Sequence, residues 1–435
     1  RLTGERGRTT GQLKLFADLL REGSWIEAVI DEALPDRKPL PRSDLRKMLV
    51  PIGPVAVFGA SNFPFAFSTA GGDTASALAA GNPVIVKAHP SHLGTNELVA
   101  TAILNAAKKC NMPDGIFSFI IGDGENTGIQ LVKHPGIKAI GFTGSYKAGM
   151  AIYKAATNER EIPIPVYAEM SSINPVLLLP NKLKQDTDKI AAQISGSVTL
   201  GAGQFCTNPG LLFLVEDASS EIFIQQLTEK LAAVPAAIML NQNICNNYYK
   251  SIQITAQQQG ITSLFAGNNA ANELKASPAL MLVSAADFIA NPQLQNEMFG
   301  PATLIVKCKD EADLLNALQS LHGQLTGTII ADAADIKNFA GCIDLLTSKV
   351  GRVVYNGVPT GVEVCHAMVH GGPFPATTGA RSTSVGADAI KRFARPLCLQ
   401  DCPREFLPDA LKDNNPLNIM RKVNGRYTRA VAGEE

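Results

Sequence analysis

No stretch of this chain is apolar for the roughly 18 residues that a membrane-spanning helix requires, and no signal peptide is recognisable at its start. It has neither a basic stripe nor an acidic block. Lys and Arg together number 39, Asp and Glu together number 39, and the formal net charge is zero. Nucleic acid and anionic membrane surfaces are therefore poor candidate partners. The eight cysteines, at 110, 206, 245, 308, 342, 365, 398 and 402, are too widely spread for a disulfide framework. Cys398 and Cys402 form a CxxxC with no second pair, and neither His89/His92 nor His366/His370 lies in an HExxH frame. No metal is expected. Reduced thiols, and with them a cytoplasmic location, are the expectation. Internal repeats and low-complexity tracts are also absent.

What remains is a chain of 435 residues, 46% hydrophobic and 18% charged. At ~100–200 residues per domain, that is enough for two or three domains. It opens on Arg1 inside a helical pattern, "TTGQLKLFADLLREGSW", so an N-terminal segment is expected to have been lost, processed or left out. From 55 to 160, β-branched runs alternate with helical patterns. "VAVFG" (55–59), "PVIVK" (83–87), "IFSFIIG" (116–122) and "IKAIGFTG" (137–144) read as strands. Segments 68–81, 93–109 and 127–134 read as helices, and "SYKAGMAIYKAA" as another. This repetition predicts an α/β fold, a parallel sheet flanked by helices.

Parallel sheets bind ligands beyond the C-terminal ends of their strands. Asn62, Lys87 and "GFTGSYKAG" (141–149) all fall at such ends. A second α/β run follows residue 169, with strands at 174–180, 210–216, 302–308, 325–331 and 351–357. Helices are expected there at 188–203, 220–234 and 310–321. Residues 25–49 read as two charged, strand-like arms joined by a Pro-rich link. Such a hairpin is either a solvated surface feature or a pairing surface for another subunit.

Cys206 stands in "GAGQFCTNPG", among small and polar residues just after a predicted helix. A single cysteine is ordinarily a small buried hydrophobe. A glycine-containing loop instead leaves room for a ligand, and a thiolate there can attack an electrophilic carbon. Glu169, in "VYAEMSSINP", follows an apolar strand, where burial can make a carboxylate a general base; an exposed loop Glu is the plainer reading. Asn62 offers an amide donor suited to an oxyanion, or simply an Asx turn. Gly141, Thr143, Gly144, Ser145 and Gly149 lie where a strand passes into a helix, a place that favours phosphate or makes a plain tight turn. Lys87 can reach ribose hydroxyls or solvent.

Together these segments resemble the NAD(P)-dependent aldehyde dehydrogenase superfamily, most nearly its α-ketoglutaric semialdehyde (2,5-dioxovalerate) dehydrogenase branch. "ASNFPFAFSTAGGDTASALAAGNPVIVKAHPSH", "GFTGS", "YAEMSSINPV", "GQFCTNPG", "NEMFGP" and "GVPTGVEV…MVHGGPFPATT" carry the resemblance, in order, over nearly the whole chain. It implies a Rossmann-type coenzyme domain (1–168, with an oligomerisation hairpin at 25–49) and an α/β catalytic domain (169–375). A C-terminal segment (376–435) would return to the coenzyme domain and the interface of a homodimer or homotetramer.

By the same resemblance, Cys206 attacks a small-molecule aldehyde, Asn62 and the Cys206 N–H hold the oxyanion, and Glu169 activates the hydrolytic water. Lys87, Gly141, Thr143, Gly144, Ser145 and Glu297 would bind NADP or NAD. NAD-preferring relatives carry a Glu three positions after the lysine. Here that position is Pro90, near His89 and His92, so NADP is expected to be used. Phe63, Phe65 and Phe205 would line the substrate tunnel, and Arg381 would supply the cation that a buried distal carboxylate needs. The implied substrate is 2,5-dioxopentanoate, oxidised to 2-oxoglutarate. A fatty-aldehyde dehydrogenase, a CoA-acylating dehydrogenase and a catalytically silent structural homologue are the alternatives.

Overall fold

The computed structural model describes residues 2–124, 126–267 and 274–433. Its first large sheet has five parallel strands in the order Phe117–Ile120, Val84–Lys87, Val55–Phe58, Ala139–Thr143, Val166–Glu169. Successive strand residues point to opposite faces, and both faces are covered. Val55, Val57, Val84 and Val86 pack with Phe16, Leu19, Ala75 and Ala77 on one side. Ala56, Phe58, Ile140, Phe142 and Val166 pack with Ile152 and Ala155 on the other. Each of the larger side chains, the valines, leucines, isoleucines and phenylalanines, contributes roughly 1.5–3 kcal/mol through burial. Two-sided burial is why these strands read as unbroken apolar runs.

The order of connection reverses at Val55–Phe58, whose neighbours are Val84–Lys87 and Ala139–Thr143. The crevice beyond the strand ends opens at that point.

The second sheet has seven strands in the order Thr262–Ala266, Ala279–Ser284, Ala302–Cys308, Leu211–Val215, Pro175–Leu178, Gln324–Ile330, Val350–Tyr355. All pairings are parallel except that of the edge strand Thr262–Ala266. Leu177, Leu211, Phe213, Met281 and Leu304 face one core. Val176, Leu178, Leu212, Leu214 and Ile305 face the other. The expected strands and helices of this run all form. Strand Ala279–Ser284 and helix Gln242–Ala256 have no counterpart in the sequence expectations. That helix buries only Cys245, Tyr248 and Ile252, a stripe too thin to stand out in a polar segment.

The arms of the 25–49 hairpin, Val29–Asp31 and Leu45–Pro51, pair antiparallel, with Val29 opposite Lys47. They do not stand free in solvent. Ala394–Gln400 pairs along Leu45–Pro51, and Arg421–Val423 along Val29–Asp31, making a third, five-stranded sheet. Arg46 within it is buried, with Asp44 and Asp413 each 2.7 Å away. Among the described residues, no helix is long and apolar enough to cross a membrane.

Candidate active site

The two parallel sheets face one cavity with opposite ends. The five-stranded sheet contributes the segments that leave its strands: Asn62 after Phe58, Gly144 and Ser145 after Thr143, and Glu169 itself. The seven-stranded sheet contributes the segments that enter its strands: Asn174 before Pro175, Cys206 before Leu211, and Glu297 before Ala302.

Cys206 follows a short 3-10 turn, Leu200–Gly203, that ends in left-handed backbone. Gly203 has φ +65, and a Cβ there would fall 2.2 Å from the Gly300 carbonyl carbon and oxygen. Only glycine lets the Cys206 loop lie this close to the "NEMFGP" segment. Asn174, fully buried at φ 47, then holds the loop from below. Its Nδ2 donates to the carbonyls of Cys206 and Asn208, both at 2.9 Å. Its Oδ1 accepts from Ser172 Oγ at 2.9 Å and Thr326 Oγ1 at 3.1 Å. Gln204 ties down the upstream end, donating to Gly201 O at 2.9 Å and accepting from Leu240 N–H at 3.0 Å. Asn62 Nδ2 donates to Gln204 O at 3.1 Å, which brings the amide to within two residues of the thiol. The thiol of Cys206 is half-buried. Burial instead pushes the thiols of Cys245, Cys308 and Cys342 up, so those three stay protonated and inert.

The sequence reading missed His370. Its Nε2 lies 3.3 Å from Cys206 Sγ and 2.8 Å from Glu169 Oε1. Ser384 Oγ donates to the other carboxylate oxygen at 2.7 Å. Glu169 and His370 are both buried, at 5% and 1% exposure, so neither charge is screened by water. Burial alone would raise the Glu169 pKa. The His370 charge and hydrogen bond, the Ser384 hydroxyl and Arg392 outweigh it, and the carboxyl lies below its ordinary value. Burial alone would lower the His370 pKa. The charges of Glu169 and Cys206 and the hydrogen bonds to both raise it. His370 Nδ1 is buried with no hydrogen-bond partner. An imidazolium leaves that N–H unsatisfied, a cost that the two anionic neighbours outweigh. The donor atoms of Glu169, Cys206 and His370 lie within 4.8 Å of one another, a spacing compatible with a metal ion. However, one nitrogen, Nε2, lies at hydrogen-bond distance from both neighbours, which ties thiol, imidazole and carboxylate into one hydrogen-bonded group.

A cavity of about 320 Å³ opens beside the thiol, lined by Asn62, Thr143, Ser145, Glu169, Cys206 and Glu297, among others. Ser145 caps helix Tyr146–Asn158, its Oγ accepting from Ala148 N–H at 3.3 Å. The start of that helix presents partial positive charge to an anionic phosphate. Burial pushes the Glu297 carboxyl up to about 7; the Ser171 hydroxyl and Ser172 N–H pull it down, and the Glu169 charge pushes it further up. A carboxyl near its midpoint can accept from or donate to ribose hydroxyls. A nucleotide whose reactive ring lies by Cys206 and whose phosphates lie by Ser145 fits this lining.

Several expected ligand residues lie outside this lining. Gly141 lies inside a buried strand, where a missing Cβ makes room for Asp73, whose Oδ2 a Cβ would meet at 3.0 Å; it packs rather than contacts the cavity. Arg381 is exposed and lines a separate hollow with Tyr167, Asp388 and Lys391. It does not line the cavity beside Cys206. Lys87 is buried at its strand end, its pKa lowered by burial against the Asp123 charge, and lies outside the 320 Å³ cavity. Phe63 and Phe205 meet edge to face at 5.3 Å, and the ring series continues from Phe63 to Phe67 at 5.6 Å. Phe65 stands apart from that series among the described residues and gives its N–H to Glu5 at 3.2 Å.

Comparison with known proteins agrees with this geometry. The model of the aldehyde dehydrogenase family matches residues 4–395. The chain is 52% identical over 426 residues to α-ketoglutaric semialdehyde dehydrogenase 2 of Azospirillum brasilense, covering 98% of this chain and 81% of that protein. It is 50% identical over 430 residues to α-ketoglutaric semialdehyde dehydrogenase of Acinetobacter baylyi, covering 99% and 81%. Among solved structures it resembles the glyceraldehyde-3-phosphate dehydrogenase GapN of Methanocaldococcus jannaschii complexed with NADP. That likeness, a TM-score of 0.75 at 21% identity over 91% of this chain and 81% of that one, speaks to the fold.

Proposed function

The chain belongs to the aldehyde dehydrogenase family, enzymes that oxidise aldehydes with a nicotinamide coenzyme, and on that premise we propose that its substrate is 2,5-dioxopentanoate, released as 2-oxoglutarate. The observation that supports aldehyde chemistry most directly is the thiol of Cys206 held 3.3 Å from a histidine that is itself bonded to a buried carboxylate.

Cys206 Sγ bonds to the aldehyde carbon as its proton passes to the Glu169–His370 pair and the carbonyl π electrons move onto the oxygen. Asn62 meets the resulting oxyanion: one amide N–H is held by Gln204 O, which fixes the direction of the second. The bound coenzyme supplies the acceptor for the two electrons whose loss turns the Cys206 adduct into a thioester. A water then attacks that thioester, its proton taken by the Glu169–His370 pair once the thiol's proton has left to solvent; the C–S bond breaks and a proton returns to Cys206. Glu169 is the base in this reading. His370 is the group through which it reaches the reacting atoms.

Glu169→Gln tests the hydrolytic second step. The substitution keeps the shape and removes the base, a loss of roughly 10²–10⁴-fold in turnover. The mutant is expected to give one burst of reduced coenzyme per site and to carry an acyl group on Cys206, visible by mass spectrometry. Full turnover without added CoA would assign the base elsewhere. Strict dependence of the wild type on CoA would move the protein to the acylating class, because a thiol needs less help than water.

NADP is proposed to serve at least comparably with NAD. Pro90 places no carboxylate beside the ribose to repel a 2′-phosphate. His89 does not add a cation there at neutral pH, since burial, with His92 and Lys87, lowers its pKa to about 4. A preference for NAD of roughly a hundredfold in kcat/KM, nearly 3 kcal/mol, would reject this.

We assign residues 1–168 to coenzyme binding, 169–375 to catalysis and 376–435 to the return segment, and propose a homodimer or homotetramer built on the third sheet. Leu40, Phe406 and Tyr427 are 69%, 74% and 77% exposed around that sheet, apolar surface that a second copy would cover. A monomeric mass by light scattering would refute the assembly.

A further inference from the structure

One arginine near the Cys206 loop is used by none of the steps above. Arg8 lies half-buried on the first helix, Leu2–Glu22. Its guanidinium carbon is 4.6 Å from the centre of the Phe67 ring. Phe67 meets Phe63 edge-on at 5.6 Å, and Phe63 meets Phe205, the residue before Cys206, at 5.3 Å. An unbroken series of rings therefore leads from the guanidinium to the nucleophile loop.

Two nitrogens of Arg8, Nε and Nη2, are buried and have no hydrogen-bond partner. They share one edge of the planar fork, the edge that meets a carboxylate with two parallel N–H···O bonds. Buried donors without partners are unfavourable until something completes them. Burial lowers the Arg8 pKa, while the charges of Cys206, Glu363, Glu169 and Glu5, in that order, act against it. The guanidinium thus lies within the field of the reacting residues. Glu363 is exposed, so water screens its charge.

The other arginines do not offer the same edge. Arg352 also feels the charge of Cys206. Its Nη1 and Nη2, however, donate to Gly361 O at 3.0 Å and Pro359 O at 2.6 Å, and only Nε is left over. Its task is to hold the 357–364 loop beside the nucleophile. Arg381 faces its separate hollow.

We propose that Arg8 binds the distal carboxylate of an oxo-acid substrate, side-on through Nε and Nη2, with the Phe63, Phe67 and Phe205 rings flanking the methylenes between carboxylate and aldehyde. This rests on the reading of the substrate as an aldehyde with a distal carboxylate. The contact is remote from the reacting carbon and is the same before and during reaction, so it acts mainly through KM.

The test compares 5-oxopentanoate with pentanal, which have the same chain length and differ by the carboxylate. Wild type is expected to favour 5-oxopentanoate in kcat/KM. In Arg8→Gln the ratio of the two kcat/KM values should fall roughly 10²–10³-fold, the size expected when one partner of a buried charge pair is removed. Arg8→Lys keeps the charge, loses the fork and should fall less. A wild type that does not distinguish the two aldehydes would overturn the oxo-acid reading of the function. A wild type that prefers 5-oxopentanoate, with a ratio preserved within about threefold in Arg8→Gln, would overturn the Arg8 assignment alone. Should Arg8→Gln lose its cooperative thermal transition, Arg8→Lys carries the same measurement, and an unchanged ratio there overturns the assignment equally.

Discussion

The five-stranded and seven-stranded sheets meet the cavity with opposite ends, and the opposition divides the labour. The C-terminal edge of the five-stranded sheet supplies turns that run into helices, and with them backbone N–H groups and a helix start suited to phosphates. The N-terminal edge of the seven-stranded sheet is built from segments that enter strands, with the start of helix Gln242–Ala256 reaching the cavity through Ile244 and Asn247. It supplies instead loops pinned by buried amides: Asn174 under Cys206 and Asn208, and Gln204 against Gly201 and Leu240. The rule that ligands gather at the C-terminal ends of parallel strands holds for one sheet and fails for the other. A nucleophile needs a fixed loop more than it needs a dipole, and rigidity can be built at either end of a strand. Glu169 and His370 form the seam, one at the tip of the five-stranded sheet and one on the loop that crosses over from the seven-stranded sheet.

If the edges are separable, removing the nucleophile should leave coenzyme binding in place. Cys206→Ala is expected to lower kcat by about 10⁴-fold or more, with coenzyme affinity by fluorescence titration unchanged within about threefold. A joint loss would mean that the two edges act as one. Asn62→Ala removes the donor on the opposite edge. Its kcat should fall about 10²–10³-fold while Cys206 still reacts with iodoacetamide ahead of the other cysteines.

Gly203→Ala probes how closely the nucleophile loop is set against the next strand. The new methyl meets the Gly300 carbonyl at 2.2 Å on a residue with φ +65, and stability should fall by about 1–3 kcal/mol in urea unfolding. An unchanged unfolding midpoint would show that the loop has room to shift.

The smallest expected effect lies on the seam. The folded-state pKa of His370 is raised from 6.5 to about 10. Its contribution to stability is therefore fully present below its unfolded value and is lost as pH rises through the folded one. The stability gap between wild type and His370→Gln should be wider near pH 6 than near pH 10 by thermal melts. Glu169, with its lowered value, loses its contribution on the acid side, as pH falls through that value. A gap that widens with rising pH would place the proton on another group.

The sequence alone determined the parallel α/β architecture, placed Asn62, Thr143, Ser145 and Glu169 at strand ends, and singled out Cys206 among eight cysteines as the candidate nucleophile. All of these depend on patterns a few residues long: apolar period, glycine turns, and a polar loop around a thiol. Helix Gln242–Ala256 escaped because its buried stripe is only three residues wide. Tertiary structure decided which side chains meet. His370 reaches Cys206 across 164 residues of chain, a meeting that only the tertiary fold brings about. Gly141 became a packing residue because Asp73, on another element, fills the space beside it. Arg381 was carried to the surface, while Arg8, on a helix read only as a helix, was left with a buried, unpaired edge. Local conformation is set by neighbours in sequence, but charge, burial and hydrogen-bond partners are set by neighbours in space.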